Sequence, residues 1–573
     1  MIAATKYLTG RATFLTKRAL QFVALEVSGF QRAVYILALL ALINAITGLL
    51  RDRLLAHVFG ASTTLDLYYA AFRIPDFLFV GLGALVTVYI LIPELGRRNE
   101  AERKDYVDTI IAGFSILSVV LCTVAALFSP WLLARFFPEL VAQGHLATLT
   151  MLTRIMLLQP VLMGFSNILA ALTQTRHRYL LYSISPVLYN FGILIGTVVL
   201  YPLFGIMGLS LGVVLGAFLS GAIQLPSLIS DGYFHRLPRL KEFSSLVDTV
   251  LVSVPRALAL SMSEIAEFGL IVFAGALAPG SIAVFNFAYT LQGVPLSIIG
   301  ASYSVAAFPS LAAAIAAGRR EQFIEQLATA SRLVFFWSLP ATALAIVLRA
   351  HVVRVILGSG AFNWDDTRLT AAAFALFAAS LCAQGLLLLL VRAYYAAGRT
   401  FVPFIVSSFG AALTIALGAA SVGALHAGLF SDATKALLRV SGVPGTGVLA
   451  LAFVYSFVSI VSTLVLLAHF ERRFPGFLRK VIGSWAQSAL AAVGCGAGAY
   501  LTLNFIGPIT LSSTLVSVCL RGGAAALVGS VACAAVYVVL GNREFKETFG
   551  ALRSRLRRPK LSPSMVAAAE EQV

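Results

Sequence analysis

Charge is scarce in this chain of 573 residues. Asp, Glu, Lys and Arg together make up 12%, against roughly 25% in soluble domains. Hydrophobic residues make up 59%, and mean hydropathy is +0.91. Water-soluble cores stop growing near about 250–300 residues, so this much apolar surface cannot be hidden in soluble domains. A soluble enzyme and a nucleic-acid-binding module are excluded. The five cysteines, Cys122, Cys382, Cys495, Cys519 and Cys533, stand in apolar stretches without C-x-x-C or Cys/His spacing. They imply neither a disulfide framework nor a metal site and read as small buried apolar residues. No G-x-x-x-x-G-K-[ST] phosphate loop occurs, so any uphill movement is not driven by ATP hydrolysis in this chain. Nor is a cleaved leader legible. Lys6, Arg11, Lys17 and Arg18 precede no compact apolar core, and the first long apolar run, from Ala33, leads straight into Arg51-Asp52-Arg53.

What is present is a succession of long apolar runs. A bilayer-crossing helix needs about 20 mostly apolar residues, and that ruler predicts about fourteen spans between residues 33 and 540. Continuous runs without period-two alternation predict helices, not a barrel. Most of the 42 lysines and arginines fall at the N-terminus, in the even-numbered connections and in the tail. That bias puts both termini in the cytoplasm and makes the net charge of +17 a topology signal and an attraction to anionic membrane lipid.

Two pairs of segments resemble each other at a nearly constant offset. YAAFRIPDFLFVGLGALVTVYILIPEL at 69–95 lies beside FAYTLQGVPLSIIGASYSVAAFPSL at 287–311, and 171–186 beside 393–408. They predict two parallel six-helix lobes, 33–230 and 246–470, as in many transporters. Two more helices occupy 483–540. A basic amphipathic segment at 1–32 and a basic tail at 541–573, expected to fray, complete the organisation. The fold class is an all-α polytopic membrane protein.

An ionised side chain at the bilayer centre costs roughly 2.5–3.5 kcal/mol on insertion scales, so such residues should face a cavity. The densest group is Arg51, Asp52, Arg53, His57, Asp66, Arg73 and Asp76. It reads either as a hydrated cationic pocket for an anionic headgroup or as an interfacial loop with local ion pairs. A second group, Arg256, Glu264 and Glu267, shares one helix face. It reads either as a proton or cation coupling site or as a neutralised cluster that packs the seventh span. Pro75 and Gly81 in the second span and Pro295 and Gly300 in the eighth are candidate hinges, with close helix packing the competing account. Asp365-Asp366 reads as an acidic turn capping the tenth span. No cofactor is expected.

GLLRDRLLAHVFGASTTLDLYYAAFRIPDFLF at 48–79 resembles the opening signature of the MurJ/MviN lipid II flippase family, within the multidrug/oligosaccharidyl-lipid/polysaccharide exporter superfamily. NILAALTQTRHRYLLYSISPVLYNFGI at 167–193, GSIAVFNFAYTLQGVPLSIIG at 280–300 and VRAYYAAGRTFVPF at 391–404 match in order. The resemblance implies fourteen helices, a central cationic cavity, and a groove for the lipid tail formed with the helices of 483–540. It also implies transfer of undecaprenyl-diphosphate-linked peptidoglycan precursor to the outer leaflet of a bacterial inner membrane. Carried residue by residue, it places the essential Arg-Asp pair on Arg51 and Asp52, an acidic residue on Asp66 and a basic one on Arg73. The chain departs from the family at Ala45, Phe79 and Thr290, where arginine is common, and at Gly293, where an acid is common. Glu264 and Glu267 stand where neutral residues are more usual.

The leading expectation is a lipid II flippase working by alternating access, driven by membrane potential or a cation gradient. Arg51, Asp52, Arg53, Asp66, Arg73 and Arg256 would hold the substrate. The alternatives are an exporter of another polyprenyl-linked glycan or amphiphile, and a non-transporting membrane scaffold for cell-wall synthesis enzymes.

Overall fold

A computed structural model of the chain describes residues 30–85, 91, 95, 99–176, 178–233, 261–426, 432–510 and 513–557. Among them every regular element is helical. Ten helices are long and apolar enough to cross a membrane, and an eleventh span arises if Trp364–Ala378 and Leu381–Ala396, bent by 43°, count as one. The three remaining sequence-predicted spans fall on Phe30–Phe59 (α1), Thr63–Leu85 (α2) and the helix over 261–275, each of which adjoins residues outside the described set. The helices are therefore compatible with fourteen spans. The segment 1–29 and residues 558–573 also lie outside the described residues.

The polarity pattern is that of a membrane protein. Large apolar side chains face outward, with Phe505 92% and Val539 85% exposed, while Thr109, Gln224 and Ser488 are fully buried. A patch of that kind would aggregate in water and is at home against lipid. Without a hydrophobic drive between helices, association depends on close backbone approach and interhelical hydrogen bonds. Four of the five cysteines are buried as expected, whereas Cys519 is exposed.

The chain divides into two compact units. In the first, comprising residues 1–290, 353–373 and 401–458, glycines bring Tyr179–Ile195 (α3) and its π-helical extension Gly196–Leu200 against Ile206–Ala222 (α4). A Cβ on Gly192 would lie 2.2 Å from the Gly216 Cα, and one on Gly212 would lie 2.5 Å from the Gly196 Cα. Beside this seam sits a closed polar network. Gln224 Nε2 donates to Ser166 Oγ (3.2 Å) and Ser185 Oγ (3.1 Å), and the Thr173 hydroxyl donates to Gln224 Oε1 (3.2 Å).

In the second unit, comprising 291–352, 374–400 and 459–573, Phe477–Ile506 and Leu515–Val539 pack through the same device. A Cβ on Gly529 would lie 2.7 Å from the Cys495 carbonyl oxygen. The Tyr537 hydroxyl donates to the Phe336 carbonyl (3.0 Å). The tail does not fray where expected, because Arg543–Arg557 is a helix. It is anchored at its start. Glu544 pairs with Arg332 at 3.0 Å, both side chains being largely buried, and Phe545 stacks on Tyr537. Partners distant in sequence decide this helix, which is why local composition missed it.

Overpacking a close contact costs about 1–3 kcal/mol, occasionally more. Gly212→Leu should therefore lower the thermal unfolding temperature of the purified protein clearly. Gly81→Ala, where an added carbon meets nothing within 4 Å, should leave it unchanged or slightly raised.

Candidate functional site

The site lies wholly within the first unit and begins at the turn between α1 and α2. Gly60 ends α1 with φ +63°, donating its N–H to the Ala56 carbonyl (2.8 Å), a left-handed stop that glycine adopts freely. Three residues into α2, Asp66 is 3% exposed. Its Oδ2 accepts from the Gly280 N–H (2.6 Å) and its Oδ1 from the Ala283 N–H (2.9 Å). Those N–H groups open the helix Ser281–Pro295, whose positive dipole end favours a carboxylate. Asp66 thus caps a helix more than two hundred residues away, and both its oxygens are engaged by backbone. Asp366 does related work for its own helix, accepting from the Asn363 N–H (3.0 Å) while its own N–H donates to Asn363 Oδ1 (2.9 Å).

On α1 the Arg51 Nε donates to Asp52 Oδ1 (2.9 Å), and a terminal nitrogen donates to Asn190 Oδ1 (2.9 Å). Asn190 in turn donates to Asn44 Oδ1 (3.0 Å). The Asp52 side chain is 5% exposed and that of Arg51 25%, so the arginine keeps an open side while its partner does not. Arg53 points elsewhere: it donates to the carbonyls of Val355 (2.5 Å) and Ile356 (3.2 Å). These are C-terminal carbonyls of the helix Arg349–Ile356, where a cation satisfies orphan acceptors.

Arg73, one and a half turns beyond Tyr68 on α2, donates to Glu267 Oε1 (2.9 Å) and to Asn286 Oδ1 (2.7 Å). The side chains of the ion pair are 10% and 16% exposed. Arg73 Nε is buried without a partner. Asp76, one turn on from Arg73, accepts from the Gln159 side chain and lies within electrostatic reach of Arg73, Glu267 and Arg51. Glu264 is half-buried and close enough to feel Glu267, Asp76 and Arg73. Tyr69 lies within electrostatic reach of both arginines. The fold therefore gathers Arg51, Asp52, Arg73, Asp76, Glu264 and Glu267 and sets Arg53 and Asp66 on backbone. Arg256 lies outside the described residues.

The candidate hinges differ from one another. Pro75 sits within a continuous α2. A proline there cannot bond the carbonyl four residues back, and the buried Thr153 hydroxyl donates to that Ala71 carbonyl instead (3.3 Å). Gly81 has open space around its Cα. Pro295 is followed by a π-helical stretch, Leu296–Ala301. Gly300 is a packing glycine, its Cβ position 2.9 Å from the Gly385 Cα.

A family model described as "Lipid II flippase MurJ" matches residues 55–518. The chain belongs to that family. Among MurJ relatives, a probable lipid II flippase MurJ of Thermotoga maritima is 25% identical over 376 residues, covering 65% of this chain and 76% of that protein. The solved lipid II flippase MurJ in an inward closed conformation matches with TM-score 0.70 at 20% identity, covering 88% of this chain and 99% of that one. An inward-facing multidrug resistance MATE family transporter of the MOP superfamily matches with TM-score 0.60 at 16% identity, over 78% and 99%. These likenesses establish the fold.

Sequence reading missed the amides that hold the site's charges: Asn190 for Arg51, Asn286 for Arg73 and Gln159 for Asp76. Each is an amide in an apolar span, a signal available from composition alone because such groups need partners in the membrane. Their partners were not legible.

Removing the Asp66 carboxylate leaves two buried N–H groups unmet, each at about 1–3 kcal/mol. Asp66→Leu should lower thermal stability more than Asp66→Asn, which keeps one acceptor. Neither change should alter ligand affinity in the protein that remains folded, as measured by calorimetry.

Proposed function

We propose that this chain moves lipid II, the undecaprenyl-diphosphate-linked peptidoglycan precursor, from the inner to the outer leaflet by alternating access. The observation that carries the reading is the family match across residues 55–518, which spans the whole buried charge group except Arg51 to Arg53. Arg51 is the residue best placed to meet phosphate. Its guanidinium is oriented by Asp52 and Asn190 in a side chain that is 25% exposed, and guanidinium–phosphate pairs form strong paired hydrogen bonds.

In this reading the lobes 33–230 and 246–470 alternate in exposing the headgroup to either face. The two helices within 483–540 guide the polyprenyl tail through lipid. No bond is made or broken. Both termini are cytoplasmic, in a bacterial inner membrane, with anionic lipid around the basic ends and cell-wall synthesis enzymes as partners. Membrane potential or a cation gradient drives the cycle; a charge crossing the potential contributes about 2.3 kcal/mol per 100 mV.

A second reading, export of another polyprenyl-linked glycan, is favoured by one feature. Ala45, Phe79 and Thr290 supply no charge, and Arg73 is already paired with Glu267.

Rescue of bacteria depleted of their lipid II flippase distinguishes the two. Expression of this chain should restore labelled precursor to the outer leaflet, and Arg51→Ala should reduce it by about tenfold or more, since truncating one partner of a buried charge pair costs about 2–5 kcal/mol. Failure to rescue by folded, inserted protein would select the second reading.

A further inference from the structure

Arg73 is the better buried of the two site arginines, and this chain fills its anion position with its own carboxylate. Glu267 Oε1 sits 2.9 Å from one terminal nitrogen, and Asn286 Oδ1 takes the other at 2.7 Å. A phosphate approaching the guanidinium along its fork meets an occupied site. We propose that Glu267 is an internal stand-in for the substrate's phosphate at Arg73, that the diphosphate must displace it, and that the displaced carboxylate takes up a proton from solution as it leaves. The proposal rests on the diphosphate-linked substrate proposed above and adds how that substrate is admitted.

The charge count around Arg73 requires the proton. Among the described residues, the groups within reach of Glu267 are Arg73 and Asp76 from α2, Glu264 from its own helix, Tyr289 from Ser281–Pro295 and Tyr455 from Val448–Arg473, while Asn286 holds the other nitrogen of Arg73. Gln159 donates to Asp76, and Arg51 lies beyond it. Among the described residues, three carboxylates act on the Arg73 guanidinium. While Glu267 holds Arg73 the pair is neutral and buried. Once a diphosphate takes Arg73, Glu267 becomes an unpaired buried carboxylate beside Glu264, Asp76 and a new dianion. Leaving a buried charge uncompensated is strongly destabilising, and like charges at close range cannot all stay ionised. The compensating cation is a proton, which a single carboxylate oxygen accepts without the several oxygen ligands a metal ion needs. It bonds to a carboxylate oxygen and returns to solution when the diphosphate leaves and Glu267 recovers Arg73. Nothing is oxidised or reduced.

The test uses the full chain in lipid nanodiscs and a short-chain polyprenyl diphosphate as probe, titrated from about pH 5 to about pH 9. Glu267→Gln keeps the size of the side chain and a carbonyl acceptor for Arg73 but carries no charge. It should bind the probe as tightly as wild type at the acid end and about tenfold or more tightly at the alkaline end, the factor expected when one close opposite charge no longer competes. Comparing the two proteins cancels the probe's own titration. In weakly buffered solution the wild type should also take up a proton as the probe binds at neutral pH, beyond that taken up by Glu267→Gln; should the variant fold poorly, wild-type uptake at about pH 8–9, where the phosphate of the probe is already fully ionised, reads the same step. Equal affinity of the two proteins across the range, or equal proton uptake, overturns the proposal while leaving the flippase reading intact. No binding of the probe by either protein at any pH overturns both.

Discussion

Inside a bilayer a guanidinium finds no water, and the way Arg51 and Arg73 are met from within the protein organises the helices around them. Each is matched by one carboxylate and one amide: Asp52 and Asn190 for Arg51, Glu267 and Asn286 for Arg73. Arg51 thereby ties α1 to α3, and Arg73 ties α2 to the 261–275 helix and to Ser281–Pro295. The same demand extends to backbone. Arg53 answers the C-terminal carbonyls of Arg349–Ile356, Asp66 the first N–H groups of Ser281–Pro295, and Thr153 the carbonyl orphaned by Pro75. A polar group left alone in hydrocarbon costs several kcal/mol. The charged side chains of α1 and α2 therefore do two kinds of work, and only the open side of Arg51 and the exchangeable pair at Arg73 remain for a ligand.

Much of the fold was legible in the sequence because the membrane writes in a coarse alphabet. Runs of about 20 apolar residues located eleven spans that match helices of membrane-crossing length and three more that fall on helices adjoining undescribed residues, and the opening motif at 48–79 pointed to the family. The site was legible only in part. Spacing gathered Arg51, Asp52, Arg73, Glu264 and Glu267 into two groups, but not the fact that the groups meet. The 2.9 Å pair between Arg73 and Glu267 joins residues 194 apart, a distance no local pattern encodes. By residue type Arg53 looked equivalent to Arg51 and Asp66 to Asp52, and each differs from its counterpart in what faces it. The helical start of the tail was missed for the same reason, since Arg332 and Tyr537 fix it from elsewhere.

The departures at Glu264 and Glu267 gain a physical meaning from this arrangement. A pocket with uncharged residues at Ala45, Phe79 and Thr290 has less charge with which to attract an anion than the sequence resemblance leads one to expect. One that also carries extra acids would repel it, unless the acids are paired when the pocket is empty and neutralised when it is full. The pair at Arg73 meets the first condition. The close glycine seam of α3 and α4, by contrast, carries no charge and holds its helices by contact alone, which separates a rigid block from the polar region beside it.

The Asp66 cap bears on how the molecule is made. Its two donors, on Gly280 and Ala283, lie 214 and 217 residues further along the chain. Synthesis proceeds at about 5–20 residues per second, so the carboxylate is threaded into the membrane on the order of ten to forty seconds before the amides it will serve have been joined. During that interval α2 cannot complete its native contacts, and the ribosome must deliver the eighth span before the second is finished. A chain interrupted near its middle would leave that carboxylate without the two amides that satisfy it in the finished fold.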